Sequence, residues 1–249
     1  MTTLPIKELG YELTKQEFWD AVHLRYDWPM ERLPTYCVCG ASFDINHALS
    51  CKKGGFITLR HNEVRDITTE LLNEVCHDVR KEPILQKVHN EDLQQRAINN
   101  SKEARLDISA LNFWSTGQRA FFDVRVFNTH AQRYRRMGIE KSFRTNENEK
   151  KKSYCDRVLQ IENGTFTPLV FATNGGMGKE CGRFYKRLAE MIAEKRKAKI
   201  PIVTKNIRTL ICFSLLRSMI RCVRGSRSFR NIVNTTDIDN INFNVDVRN

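Results

Sequence analysis

Two short apolar runs, each carrying an aspartate, constrain this chain more than anything else in it. Arg105-Leu106-Asp107-Ile108-Ser109 and Ala120-Phe121-Phe122-Asp123-Val124-Arg125-Val126-Phe127 are dominated by β-formers, with apolar and polar residues partly alternating. Both read as strands. Fifteen residues separate the two aspartates, enough for a hairpin with a long loop. A period of two puts Asp123 and Arg125 on the same face of their strand. Two carboxylates with a cation beside them suit metal-assisted phosphodiester cleavage, in which the acids hold a divalent ion and the cation stabilises charge building on phosphate. An ion pair at a sheet edge accounts for the same residues.

A second pattern is more compact. Cys37-Val38-Cys39 is followed by seven residues, then His47, three residues and Cys51. Three thiolates and one imidazole make a closed Cys₃His zinc set of the structural type. His47 and Cys51 are four apart, so a single helical turn aims both at one point. Gly40 suits the tight turn that a zinc knuckle needs. The alternative is three unrelated buried cysteines and a surface histidine. Cys76, Cys155, Cys181, Cys212 and Cys222 have no ligand spacing and read as buried or inert.

The chain has 249 residues, a net charge of +12 and a pI near 9.4. That balance favours an anionic partner, nucleic acid first among them. No run of 18 apolar residues is present, so no membrane span is expected. Met1-Thr2-Thr3-Leu4-Pro5 does not open a signal peptide, and an intracellular protein is expected.

The order of segments follows from patterning. Residues 1–35 form an N-terminal helical segment with Leu13, Phe18, Ala21, Val22 and Leu24 on its apolar side and Thr14 with Glu17 as a capping box. The zinc knuckle takes 36–56, with Lys52-Lys53-Gly54-Gly55 as a basic hinge. Residues 59–78 read as a helix whose apolar side is Val64, Ile67, Thr68, Leu71, Leu72 and Val75, with His61 and Glu63 elsewhere on it. A short strand over 79–85 and an exposed polar loop over 87–104 precede the hairpin. Between Arg125 and Arg157 lie ten Lys or Arg against four acids, read as a basic helix or helix pair over 131–163. Glu147, Lys150, Lys151, Tyr154 and Arg157 share a side of it. Residues 165–173 read as a buried strand. It runs into Gly175-Gly176-Met177-Gly178 and a helix over 179–197, a turn that can present backbone N–H groups to a phosphate or simply join strand to helix. The helix over 206–223 is largely apolar and carries Arg217, Arg221 and Arg224 on one stripe, extended by Arg227 and Arg230. Lys52, Lys53 and this stripe are the candidate nucleic-acid contacts, with solvated surface as the plainer reading. The polar tail, 231–249, is either an edge strand or disordered.

Helix, three strands and helix, with acids at the strand ends, resemble the restriction-endonuclease-like PD-(D/E)xK core: an α/β fold with a mixed sheet of about four strands flanked by helices, here over 57–230. Cys37-x-Cys39-x₇-His47-x₃-Cys51, Arg60-His61-Asn62-Glu63, Arg105-Leu106-Asp107 and Phe122-Asp123-Val124-Arg125 together resemble one branch. It is the restriction-like endonuclease with a Cys-Cys-His-Cys zinc knuckle from the C-terminal end of non-LTR retrotransposon polyproteins. The likeness spans roughly residues 30–230.

That resemblance implies a nuclear, Mg- or Mn-dependent endonuclease that nicks DNA for reverse transcription, with structural zinc. Its partners would be DNA, element RNA and the parent element's reverse transcriptase, with no membrane and no small-molecule substrate. Asp107 and Asp123 match the two acids, the Val124 carbonyl would complete the magnesium site, and Glu63 matches an acid that some members supply from the first helix. Leu106 stands where the motif has Pro. Arg125 stands where it has Lys, and arginine scarcely loses a proton, so Lys150 or Lys141 from the neighbouring helix is the other candidate for that role. With no Tyr-x-Asp-Asp in the chain, a gene fragment, a domesticated copy or a decayed element is implied. Two rival readings accompany this one: a non-catalytic zinc-containing nucleic-acid-binding module, and an inactive retroelement remnant.

Overall fold

The computed structural model describes residues 11–86, 101 and 103–225. The first helix, α1 (Lys15–Tyr26), begins at a capping box in which Thr14 and Glu17 bond each other's backbone N–H. Leu13, Ala21 and Leu24 pack inward as expected, while Phe18 faces solvent. A six-residue helix, α2 (Ile45–Ser50), closes the knuckle, and α3 (Phe56–Val75) starts after Gly54 and Gly55, both at positive φ. Val64, Ile67, Thr68 and Leu72 of α3 are buried, the side that their three-and-four spacing marks.

Four strands follow: β1 (His77–Lys81), β2 (Ile108–Leu111), β3 (Arg119–Phe127) and β4 (Thr165–Ala172). They form one sheet in the order β1-β2-β3-β4, antiparallel between the first three and parallel between β3 and β4. A parallel neighbour needs a long crossover, and α4 (Ile139–Gln160) supplies it. Two C-terminal helices, α5 (Lys179–Arg196) and α6 (Ile200–Arg224), complete the described chain.

Strand alternation sorts the side chains into two layers. Ala120, Phe122 and Val124 of β3, with Leu169 and Phe171 of β4, join α3, α5 and α6 in the main core. The aromatic rings of Phe113, Phe122 and Phe184 lie 4.8–5.3 Å apart at its centre, so Phe122→Ala costs about 3–5 kcal/mol. The opposite face carries Phe121, Asp123, Arg125 and Phe127 and lies beneath α4. Val158 of α4 packs on Phe121, and Phe143 on Phe127. The alternation that buries Phe122 therefore aims Asp123 and Arg125 at α4.

The expected strand over 79–85 is β1 with an isolated bridge between Ile84 and Arg105. Most of the expected polar loop over 87–104, the tail from 231, Arg227 and Arg230 lie outside the described residues. Arg157, fully buried, donates to the carbonyls of Gln86 and Ser101 and so holds the two ends that flank residues 87–100. Among the described residues no helix is long and apolar enough to cross a membrane.

Candidate active site and metal-binding knuckle

The knuckle is built locally. Cys37 N–H donates to the Ala41 carbonyl and Gly40 N–H to the Cys37 carbonyl, with Gly40 at φ +87°. This tight turn brings Cys37 and Cys39 to one side. Asp44 caps α2 by accepting from His47 N–H at 2.6 Å, and Cys51 ends the same helix with its N–H on the His47 carbonyl. One helical turn thus carries His47 and Cys51 to the two cysteines. The four ligand atoms all lie within 4.8 Å of one another and can hold a metal ion. Cys37 Sγ is 3.8 Å from Cys51 Sγ, and Cys39 Sγ is 3.4 Å from His47 Nε2. A tetrahedron with zinc–sulfur and zinc–nitrogen bonds of usual length has edges of about 3.8 and 3.5 Å. Burial raises the Cys37 thiol, but the Cys39 backbone N–H and the His47, Cys39 and Cys51 side chains outweigh it and bring the pKa down to about 6. All eight cysteines are free of disulfides. Cys37, Phe43 and Cys51 pack on Val223 of α6, and buried Arg60 of α3 donates to the Leu49 carbonyl of α2.

The aspartates flank the point where β2 leaves β3. Pairing of the two strands runs from Leu111–Arg119 to Ile108–Phe122 and stops there. Beyond it the Asp107 carboxylate, not a strand carbonyl, accepts the Val124 N–H, at 2.6 Å from Oδ2. The same Oδ2 and the Val124 carbonyl oxygen each lie 3.1 Å from His61 Nε2 of α3. Burial works against a charged imidazole, yet the hydrogen bond to Asp107 and that carboxylate's charge prevail and raise the His61 pKa.

Asp123 is 4% exposed and faces Lys150 of α4, whose Nζ is 2.6 Å from Oδ2. Burial drives the Asp123 carboxyl up to about 6; Lys150 opposes this and the charge of Asp107 adds to it. Lys150 also lies over the Tyr154 ring. One buried acid, one part-buried acid, a lysine, an imidazole and a backbone carbonyl thus surround the end of the β2–β3 ladder. The chemistry open to such a set is cation binding and polarisation of a phosphate.

Several expected site residues stand elsewhere. Arg125 shares the Asp123 face, but its guanidinium bonds Glu149 at 2.9 Å, and Glu149 also pairs with Arg133. The cation against Asp123 is Lys150, the other candidate for that role, while Arg125 is paired with Glu149. Glu63 bonds Ser218 Oγ at 2.7 Å and lies 3.5 Å from Arg221. Two residues along a helix are about 200° apart, so Glu63 serves α6 while His61 serves Asp107. Among the described residues, the knuckle is the one group of three or more Cys, His, Asp or Glu whose ligand atoms all lie within 4.8 Å of one another.

The arginine stripe on α6 is committed to internal contacts. Arg224 is bidentate on buried Asp20 at 2.6 and 2.9 Å, Arg221 meets Glu63, and Arg217 donates to the Glu12 carbonyl. Lys52 and Lys53 are exposed between the knuckle and α3. The glycine-rich turn before α5 already has its anion: Glu147 of α4 accepts the Glu180 N–H at 3.0 Å. A Cβ at Gly178 would collide with that carboxylate, so the phosphate reading of this turn is replaced by an internal helix cap.

The apolar pattern of α3 leaves His61 outside its apolar side. Its spacing to Val64 and Thr68, three and seven residues on, puts it on the sheet-facing side and was the available signal. Arg60, which its motif does not mark as structural, is the tie between α3 and the knuckle. No family model and no curated protein matches this chain.

Proposed function

We propose that this protein is a metal-dependent DNA endonuclease of retroelement origin, with a restriction-endonuclease-like core and a structural zinc knuckle. The observation that carries the reading is that two carboxylates stand at the end of the β2–β3 ladder, Asp107 on the Val124 N–H and the neighbouring Asp123 against Lys150. The resemblance of the ordered motifs supplies the retroelement part, and the net charge of +12 suits a polyanionic substrate in the nucleus. The edges of the Cys37–Cys39–His47–Cys51 set suit zinc, and a closed four-ligand set serves folding and not catalysis.

Asp107, Asp123 and the Val124 carbonyl would hold Mg²⁺ or Mn²⁺. That ion, when bound, lowers the pKa of a water and polarises the phosphate. Lys150 supplies the positive charge that steadies the phosphate in the transition state. Asp123, buried on the α4 face, keeps Lys150 directed at the cleft. Arg125 works at one remove, holding Glu149 and α4 in register against β3. Lys52 and Lys53 suit backbone contacts that position DNA without reading its sequence.

The test is nicking of supercoiled plasmid DNA in Mg²⁺ or Mn²⁺ by zinc-loaded protein. Asp107→Ala and Asp123→Ala are expected to abolish nicking and to leave DNA binding equal or tighter, since each removes a negative charge facing phosphate. Both variants cutting as fast as the parent would place the chemistry elsewhere. One observation favours a second reading, a non-catalytic zinc-containing nucleic-acid-binding module or inactive remnant. Each acid already has a cationic or hydrogen-bonding partner from the chain itself, His61 on Asp107 and Lys150 on Asp123. That reading expects DNA binding without cleavage in either metal.

A further inference from the structure

We propose that Arg135 and Arg136, on the loop between β3 and α4, hold the phosphate backbone of duplex DNA between the knuckle and the acid cleft. This rests on the DNA part of the proposed function and gives that reading a contact surface it does not contain. Residues 130–138 carry three arginines and no acid. Arg133, Arg135 and Arg136 are exposed, while Tyr134 between them is buried.

The loop is a fixed frame. At its start, buried Asn128 donates from Nδ2 to Asn46 Oδ1 and Ser50 Oγ of α2, each at 3.4 Å. Ser50 stands two residues before Lys52. Further along, Tyr134 donates its hydroxyl to Asn146 Oδ1 of α4 at 3.0 Å and packs with Phe127, Val170 and Ala172. Arg133 pairs with Glu149, the residue before the Lys150 that faces Asp123. The N–H groups of Tyr134 and Arg135 both donate to the Ala131 carbonyl and close the loop into turns. One end thus lies against the knuckle helix and the other against the helix that supplies the cleft lysine. Cations on such a frame are placed before an anion arrives, which lowers the ordering cost of binding.

The available positive charge is here and not on the α6 stripe. Arg217, Arg221 and Arg224 are spent on Glu12, Glu63 and Asp20. Arg135 spends only Nε, on the His130 carbonyl at 3.2 Å. Arg136 has no side-chain partner among the described residues. Terminal guanidinium N–H groups match phosphate oxygens, and do so two at a time. Each strand of duplex DNA carries one negative charge per about 3.4 Å of axis, so two adjacent arginines suit one stretch of backbone.

The experiment measures binding of a short DNA duplex to full-length, zinc-loaded protein over a range of salt, without Mg²⁺ or Mn²⁺ so that no strand is cut. Arg135→Gln with Arg136→Gln is expected to lower the slope of log affinity against log salt by about 2, so that its deficit is about tenfold larger at 50 mM than at 200 mM salt. Arg136→Gln alone, which breaks no bond within the chain, should lower the slope by about 1. Zinc content and thermal unfolding should match the parent. Lysine at both positions should restore the parent slope, because the contact is one of charge. A double glutamine variant with the parent's slope would overturn the proposal and leave the nuclease reading standing. So would a double lysine variant as impaired as the glutamine one, or a loss confined to single-stranded RNA, which would give the loop to another partner. A parent protein that binds no duplex would defeat the DNA reading itself, and this inference with it.

Discussion

The knuckle and the acid cleft are assembled in opposite ways. The four knuckle ligands fall within fifteen residues of chain, and a glycine turn and one turn of helix bring them together. The cleft draws His61 from α3, Asp107 from the residue before β2, Asp123 and Val124 from β3 and Lys150 from α4. It exists only once a sheet, a crossover helix and a packed core are in place. A local site can be read from spacing, because short chain segments have few ways to fold. A site assembled over long separations depends on which face each helix turns inward, and spacing alone does not fix that.

The comparison can be broken first at the knuckle. Cys51→Ser is expected to release the zinc, at a cost on the order of several kcal/mol. Because the ligands are local, hydrogen exchange should rise across residues 35–55 and along the α6 end that packs on them, while β3 keeps its protection. Elemental analysis finding zinc still bound, or loss of protection spreading through β3, would dissolve the distinction between the two regions.

The arginine stripe sharpens it next. Asp20 is 2% exposed and Arg224 is its partner across 204 residues of sequence. Arg224→Ala leaves that carboxylate buried with only the Gln16 amide as partner, and denaturant unfolding should register a loss of about 3 kcal/mol. The salt dependence of DNA affinity should hardly change. A variant of full stability with weakened DNA binding would return Arg224 to the nucleic-acid surface.

The smallest effect belongs to the hinge between the regions. Lys52→Gln with Lys53→Gln is expected to weaken DNA binding modestly and to lower the slope of log affinity against log salt by about 2. Folding and zinc content should be untouched. An unchanged slope would take both lysines out of the DNA contact.

Much of this fold is legible in the sequence, because burial periodicity is strong where the elements pack. The apolar side of α3 is given by Val64, Ile67, Thr68 and Leu72, and strand alternation sends Phe122 to the core and Asp123 to the other face. The mixed four-stranded sheet with flanking helices is what the family resemblance implies, beyond periodicity alone. What sequence could not give was helix register and internal charge pairing. The α4 helix is polar nearly all round, so nothing in its pattern says whether Lys150 or Lys141 meets the acids. Glu63 looked the better ligand because it is an acid, but it sits on the α6 side of α3. Arg125 lay on the right strand face and was claimed by Glu149, a partner 24 residues away. The glycine turn before α5 and the α6 arginines look exposed to ligands only until Glu147, Asp20 and Glu63 are brought beside them.

That the working cation is carried to the acids by α4, and not by the strand that bears Asp123, is the central claim for the cleft. Its most direct test is the rate of Mg²⁺- or Mn²⁺-dependent plasmid nicking by Lys150→Met beside that by Arg125→Met, at matched protein stability. Lys150→Met should lose about 10²-fold, equivalent to roughly 3 kcal/mol of transition-state stabilisation. Arg125→Met, which only loosens the Glu149 contact, should lose less than about tenfold. The reverse order of losses, or a wild type that nicks DNA in neither metal, would contradict the account.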